Sequence, residues 1–559
     1  MSQIAGLRCF AIASMVWLVP ITAVAQVIPP AAQPGREHER FMEPRAPQVQ
    51  PGPPVIYLPG TVAPSGADEV DLLLTHVAVE GTSVYGLEDI RPLYAEFVGR
   101  KVTLQTVYEI ARRITARYGA DGYVLARAIV PPQEIDADGA SIRIEVIEGR
   151  IDKVVWPEEL ALYRDFFSAY ARKIVAQRPA NIRIMERYLL LANDLPGLQI
   201  RTALQASEEE AGASTLVVEV LESPIEVNAR LDNRGTSSRG PEQFLASATF
   251  SNVAGMHEAL TFVYAGALQI DELQYVAASY NQVLGSEGLA LSVNASHSWG
   301  EPGTATLQSL DFVTRSTVVE AGLSYPVVRS RERNLTLTGL AFMNDNDSDV
   351  LGGSFNVDRL RGVRVRADAD VADRWQGVSQ FSLTFSQGID GLGSTANGHP
   401  QASRAAGRVD FRKLEAMLGR TQPISSEVSA YAAAYALYGF DPLLVSEQCG
   451  FGGRFFGRAF DPSAIVGDRC LQLLGELRYD LPPVAAIADA STQIYGFADY
   501  GRVHTLSPAA GTPSSASAAS GGAGLRLNAG SFNVDLTAAK AIDGPRNDWR
   551  FFFSVAMRY

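Results

Sequence analysis

The side chains of this sequence that could do chemistry are six histidines, two cysteines beyond residue 25, and a large set of carboxylates. His38, His76, His257, His297, His399 and His504 are scattered along the chain. No G-x-S-x-G nucleophile elbow, H-E-x-x-H helix pair or phosphate-cradling P-loop occurs. The carboxylates form no paired acid–base motif, and a polar interior explains them better than catalysis. No catalytic residue, metal ligand or cofactor site is therefore expected, and the chain is not expected to be an enzyme. The formal net charge of −13 argues against nucleic acid as a partner, which would require a basic face. Cys9 lies in a segment expected to be removed. Cys449 and Cys470 then remain, an even number that suggests a disulfide in an oxidising compartment, with two free thiols as the alternative.

That compartment follows from the first residues. Arg8, the apolar run Cys9 to Val19, and Ala23-Val24-Ala25 read as a secretory signal peptide over 1–25, too short for a membrane span. Residues 26–68 are rich in proline (Pro29-Pro30, Pro51, Pro53-Pro54) and read as an arm or linker. A short helix over 36–42 is the candidate element within it.

Two modules of similar plan follow. Over 69–150 the order is β-α-α-β-β. Leu73 to Glu80 alternates, a helix runs from Leu87 to Val98, and a second carries Leu104, Val107, Ile110, Ala111, Ile114 and Tyr118 on one face. Tyr123 to Val130 and Ser141 to Ile147 are strands. Over 151–223 the order repeats, with strands near 151–156, 198–205 and 215–221 and helices near 162–176 and 181–193.

From residue 224 onward, helical periodicity gives way to segments of about ten residues that alternate in polarity, the signature of a transmembrane barrel. Sixteen strands are expected over 224–559, near 225–232, 243–252, 258–267, 273–283, 288–298, 316–328, 333–344, 357–371, 377–388, 403–415, 426–438, 470–479, 491–500, 519–528, 531–540 and 549–559. A long irregular segment, 439–469, separates the eleventh from the twelfth. In the last strand, Trp549, Phe551, Phe553, Val555, Met557 and Tyr559 share one face. Arg550, Ser554, Ala556 and Arg558 share the other, so the aromatic row should face lipid and the arginines water. Phe552 breaks the pattern on the water side.

Over about 70–559 the chain resembles the two-partner secretion transporters (TpsB, haemolysin secretion and activation proteins), relatives of the outer-membrane assembly factor. The first module is similar to a polypeptide-transport-associated (POTRA) domain through Val84-Tyr85-Gly86, Gly122-Tyr123, Pro132-Gln133 and Glu148-Gly149-Arg150-Ile151. The second is similar through Leu195-Pro196-Gly197, and the first barrel strand through Leu231-Asp232-Asn233 and Gly235. The family folds the long segment back into its barrel with an Arg-Gly-aromatic tip. Gly457-Arg458-Ala459-Phe460 stands in that place, with Ala for Gly and Phe for Tyr, followed by Gly467-Asp468-Arg469. The partner motif Phe-x-Asp-x-Gly is present as Phe497-Ala498-Asp499-Tyr500-Gly501.

The resemblance implies that Arg458 pairs with Asp499 in a charge-assisted, bidentate bond that fastens the loop to the inner wall. A Cys449–Cys470 bridge would clamp the loop's two ends. Phe551, Phe553 and Tyr559 would form the C-terminal signal read by the outer-membrane assembly machinery. The implied partners are that machinery, the lipid bilayer, and a secreted passenger protein resembling a haemolysin or adhesin. The POTRA modules would bind the passenger by strand addition, near Ser141–Ile147 and Thr215–Leu221. In relatives an N-terminal helix plugs the pore, and here only residues 36–42 could do so. Two competing functions stand beside secretion: a membrane-protein insertion factor, which would carry more modules, and a passive porin, which would need none.

Overall fold

The computed structural model describes residues 32–41, 45–49, 61–210, 212–482 and 490–559. The expected signal peptide lies outside the described residues. Two α+β modules stand in front of one closed barrel.

In the first module, strand Asp71–Glu80 runs parallel to Ala140–Ile147 at the sheet centre. Arg100–Thr103 and Arg127–Ile129 form the edges. Helix Leu104–Ala120 buries Val107, Ile110, Ala111, Ile114 and Tyr118 against this sheet, the face its spacing predicts. The expected helix 87–98 is broken: one α-turn, Leu87–Ile90, is followed by 3₁₀ turns Arg91–Leu93 and Ala95–Phe97. Pro92 cannot donate the i→i−4 bond a continuous helix needs.

The Glu148-Gly149-Arg150 run joins the modules. Glu148 accepts hydrogen bonds from the backbone N–H groups of Ser83 (2.8 Å) and Val84 (3.2 Å), from the Tyr118 hydroxyl (2.7 Å), and from the Ser83 hydroxyl. Burial pushes its carboxyl up, but these donors outweigh burial and hold it below the ordinary glutamate range. Gly149 sits so close beneath Leu125 that a Cβ would lie 2.5 Å from the Leu125 carbonyl oxygen. The Gly149 carbonyl accepts from Ala180 N–H (3.0 Å) and that of Gly122 from Ile182 N–H (2.8 Å), so the second module is hydrogen-bonded to the first.

The second module has sheet order Arg150–Val155, Ala213–Glu222, Leu198–Ala206, covered by helices Arg164–Val175 and Ile182–Asn193. This narrows the expected binding surfaces. Ala140–Ile147 is paired over Ala140–Glu145 on one side and Glu145–Ile147 on the other, and Ala213–Glu222 over Ser214–Glu222 on one side and Ala213–Val217 on the other, so both are inner strands with much of their backbone already paired. The long free edge is Leu198–Ala206, which pairs on one side only.

Sixteen antiparallel strands close the barrel. The last, Trp549–Arg558, pairs with the first, Ile225–Asp232, from Ser554↔Asp232 to Arg558↔Asn228. Asn233 extends this seam with its side chain, donating to the Phe551 carbonyl (3.0 Å) and accepting from Phe553 N–H (2.8 Å). Fifteen strands overlie the expected segments; the tenth does not. It spans Arg412–Pro423 rather than 403–415, and residues 389–411 form a loop at the end of the barrel far from the modules. Leu414, Ala416 and Leu418 continue the outward apolar row there, whereas Pro400 and Gly407 interrupt any strand further upstream. Trp549, Phe551, Val555 and Met557 face outward as expected.

Candidate functional site

The segment between Val428–Gly439 and Arg469–Leu481 turns into the lumen. A small hairpin, Cys449–Phe451 paired with Ile465–Gly467, stiffens it. Cys449 and Cys470 are bridged, with Cα atoms 6.5 Å apart. The bridge does not join the loop's two ends. Cys449 lies well inside the loop, so the covalent tie runs from the hairpin to the barrel strand.

At the tip, Gly457 adopts φ +69° and Phe460 N–H bonds the Gly457 carbonyl (2.8 Å), closing a tight turn. A Cβ at Gly457 would also lie 2.7 Å from the Phe451 ring. Ala459 is fully buried in this turn without a left-handed backbone, so Ala is accommodated where relatives carry Gly. Arg458 points at the wall. Its backbone N–H donates to Asp499 Oδ2 (2.9 Å) and its guanidinium Nη1 to Glu476 Oε2 (2.7 Å); its Nε lies 3.5 Å from Asp499. The expected bidentate pair with Asp499 is thus corrected: Glu476 takes the guanidinium's shortest contact, and Asp499 holds the tip mainly through the backbone. Glu476 also accepts from Arg478 (2.7 Å) and Arg526 (2.8 Å), so one carboxylate gathers three guanidinium groups.

The strand motif has a separate task at each inward position. The Arg458 guanidinium carbon lies 3.7 Å from the Phe497 ring centroid, a cation–π contact. Asp499 also accepts from the Ser520 hydroxyl (3.1 Å). Gly501 leaves room for Phe451 of the loop, since a Cβ there would lie 2.2 Å from its ring. Phe451, Phe460, Phe497, Tyr495 and Phe552 form one apolar cluster inside the barrel. Phe552, which breaks the alternation of its strand, therefore meets the loop rather than water.

Two further anchors hold the loop: Glu447 belongs to no motif, and Asp468 lies in the Gly467-Asp468-Arg469 run. Glu447, 2% exposed, pairs with Lys413 (2.8 Å) and Arg364 (3.0 Å) on the wall. Asp468, fully buried, accepts from Arg404 (2.5 Å), from Leu443 N–H (2.9 Å) and from Leu506 N–H (2.6 Å). Inward-facing carboxylates on alternating strands were the available signal for Glu476. Nothing in the sequence marks Glu447.

The N-terminal arm also enters the lumen. Its helix spans Glu37–Phe41. At the far end, Arg36 donates to the Val445 carbonyl (2.7 Å) and Ser463 Oγ (3.2 Å) of the loop, and Arg239 donates to the Ala32 carbonyl (2.6 Å). Phe41 packs on Tyr275, with centroids 5.1 Å apart. At the module end, Arg45 pairs with Asp370 (2.7 Å), and Asn334 donates to the Gln48 carbonyl (3.3 Å). Arg329 also lies within 3.5 Å of that carbonyl and makes a two-point bond to Asp194 of the second module (2.6 and 2.7 Å). The second module is docked on the same rim by Tyr163, Phe166 and Phe167 around His257, and by Lys173 and Arg187 on Glu287.

The space left beside the arm is a cavity of 810 Å³ lined by Phe41, Asn228, Arg230, Asn294, Glu320 and Arg526. The arm and the loop together thus occupy the lumen on either side of this cavity.

A family model described as haemolysin secretion/activation protein ShlB/FhaC/HecB matches residues 212–527, more than half of the chain. A second, for the ShlB-type POTRA domain, matches residues 72–149. The chain is 22% identical to a heme/hemopexin transporter protein, HuxB, of Haemophilus influenzae, over 82% of each chain. It is 21% identical to the outer membrane transporter CdiB of Dickeya dadantii, over 73% of this chain and 72% of that one. Among solved structures, CdiB from Escherichia coli superposes with a TM-score of 0.68 at 19% identity, covering 92% of this chain and 94% of that one.

Proposed function

The chain belongs to the haemolysin secretion/activation family of two-partner secretion transporters of the outer membrane, and from that premise we propose that it captures an unfolded exoprotein in the periplasm and passes it outward through its barrel. The observation that carries this reading is a barrel whose lumen holds two inserted segments, the arm anchored by polar contacts and the loop by polar contacts, an aromatic cluster and a disulfide, with a second module docked at its inner mouth. A porin has no use for such modules, and a permanent wall has no use for so many separable anchors.

The passenger adds as a strand along the free edge Leu198–Ala206, where unpaired backbone groups give affinity with little demand on sequence. The arm and the loop then yield the lumen. The family's members are transporters, and no nucleotide-binding motif suggests a bound energy source. Folding of the passenger outside the cell draws the chain through.

The test is export of a passenger carrying an N-terminal secretion region, in cells making either the intact chain or one lacking residues 69–222. The deletion is expected to abolish export while the barrel still assembles. Cysteines placed along Leu198–Ala206 should crosslink to stalled passenger. Undiminished export by the deletion, or a general fall in other outer-membrane proteins without the intact chain, would overturn the reading in favour of a passive pore or an insertion factor respectively.

A further inference from the structure

Most arginines near the far end of the barrel wall are neutralised by a neighbouring carboxylate. Arg315 pairs with Asp349 (2.9 Å), Arg359 with Asp347 (2.8 Å), Arg408 with Asp410 (2.6 Å) and Arg412 with Asp441 (3.1 Å). Arg469 and Arg502 differ. Among the described residues neither has a carboxylate within ion-pair distance. Arg469 lies over the Tyr438 ring (4.1 Å) and donates only its Nε, to the Gly439 carbonyl (3.0 Å). In a chain with a net charge of −13, two uncompensated guanidinium groups on one outward face are a departure from its own pattern.

Their register places them together. Tyr438, Arg469, His504 and Ser515 form one cross-strand row. The next row toward the modules is Ala436, Leu471, Arg502 and Ser517, and a third holds Ala434, Leu473, Tyr500 and Ala519. Gln472 and Val503 are buried on the lumen side, so by alternation all three rows face lipid. Arg469 and Arg502 are diagonal neighbours, with backbones about 7–8 Å apart. Beneath them a shallow groove is lined by Leu414, Ala416, Ala436, Leu471 and Tyr500. The two small alanines leave the depression, and the rows change from cationic to apolar going down the wall. The modules lie in the periplasm, so this end of the barrel meets the outer leaflet.

We propose that this face is a binding site for an acylated, phosphorylated glycolipid of the outer leaflet, lipid A. Arg469 and Arg502 hold its phosphate, and the groove beneath takes an acyl chain. A guanidinium at the edge of hydrocarbon needs an anion, and it binds phosphate through two parallel N–H bonds. The apolar groove immediately below selects a phosphate that carries chains over a free one. The inference does not depend on which passenger is exported.

The test is native mass spectrometry of the intact chain in bilayer discs of zwitterionic phospholipid doped with bisphosphorylated lipid A. Wild type should retain one lipid A. The Arg469→Gln/Arg502→Gln variant, shown to be folded by its heat-modifiable gel mobility, should retain at least about tenfold less, the loss expected for one charge-assisted hydrogen bond. Dephosphorylated lipid A should be retained as poorly by wild type, an arm that needs no variant to fold. Equal retention by wild type and the folded variant, equal retention of dephosphorylated lipid A, or displacement by millimolar inorganic phosphate would each overturn the proposal.

Discussion

Glu476, which no motif includes, should matter more to the loop than Asp499, which the strand motif does include. Arg458→Ala removes a 2.7 Å bond to Glu476, the longer 3.5 Å contact with Asp499 and a cation–π contact with Phe497. Glu476 keeps Arg478 and Arg526, and Asp499 keeps the backbone N–H of residue 458 and the Ser520 hydroxyl. The loss is then that of one charged hydrogen bond, about 1.5–3 kcal/mol. Glu476→Gln instead leaves three guanidinium groups facing one another with a neutral amide between them. Breaking a buried pair in this way costs about 3–5 kcal/mol. Asp499→Asn is the mildest of the three, because the amide oxygen still accepts the Arg458 backbone N–H. Hydrogen exchange of the loop-tip amides 452–462 in the reconstituted full chain reads these costs. Exchange should rise roughly tenfold to a hundredfold for Arg458→Ala, on the order of a thousandfold for Glu476→Gln, and less than either for Asp499→Asn. If Asp499→Asn loosens the tip more than Glu476→Gln, the reasoning from partner counting is wrong.

Gly501→Ala should displace the loop, because its Cβ would stand 2.2 Å from the Phe451 ring. Export should fall while barrel assembly is kept, and the added Phe451→Leu change should restore part of it. Deleting residues 26–60 should raise single-channel conductance, since the arm fills the lumen beside the 810 Å³ cavity; unchanged conductance would mean that the loop alone seals the pore. Glu148 is held below the ordinary glutamate range in the folded first module. The stability it contributes is therefore present above the unfolded value of about 4.3 and lost as pH falls through the lower folded one. Glu148→Gln should loosen residues 71–147 at neutral pH, with the difference from wild type shrinking in strong acid, as read by hydrogen exchange at matched pH.

The barrel was legible because a stave alternates with period two and the chain repeats that pattern between turn residues. Where several registers satisfied the alternation, as over 403–423, the pattern could not choose, and the tenth strand slid. The loop's tip and its wall motif were legible as words, but their partners were not. Glu476 and Arg478 lie on one strand and Arg526 on another, and the two are brought together across the strand Ala490–His504 between them. Phe552 was visible as a fault in its strand. A fault of that kind marks a position whose neighbour is not the solvent its face implies, and here that neighbour is the aromatic cluster around the loop. The Glu148 cap draws two of its donors from the backbone, and the inter-module bonds at Gly122 and Gly149 are wholly backbone, which no side-chain pattern reveals.

The way the lumen is filled bears on how it can empty. An apolar plug would be held by burial, and each Å² exposed on leaving would cost about 25 cal/mol. An ion pair at a wet wall exchanges its partner for water at a net cost usually below about 1 kcal/mol. The arm is held mainly by polar contacts that are themselves buried, where separation costs more than at an exposed pair: Arg45 to Asp370, Arg36 to the loop, and carbonyls to Arg239, Arg329 and Asn334, with Phe41 packed against Tyr275. The loop has both kinds, and its aromatic cluster and disulfide remain when the polar contacts are exchanged. The arm has no such covalent tie among the described residues. Its inner end shares Arg329 with Asp194 of the second module, so a rotation of that module away from the rim would withdraw a carboxylate from the same guanidinium that steadies the arm. The second module and the arm thus meet at one side chain on the barrel's inner rim.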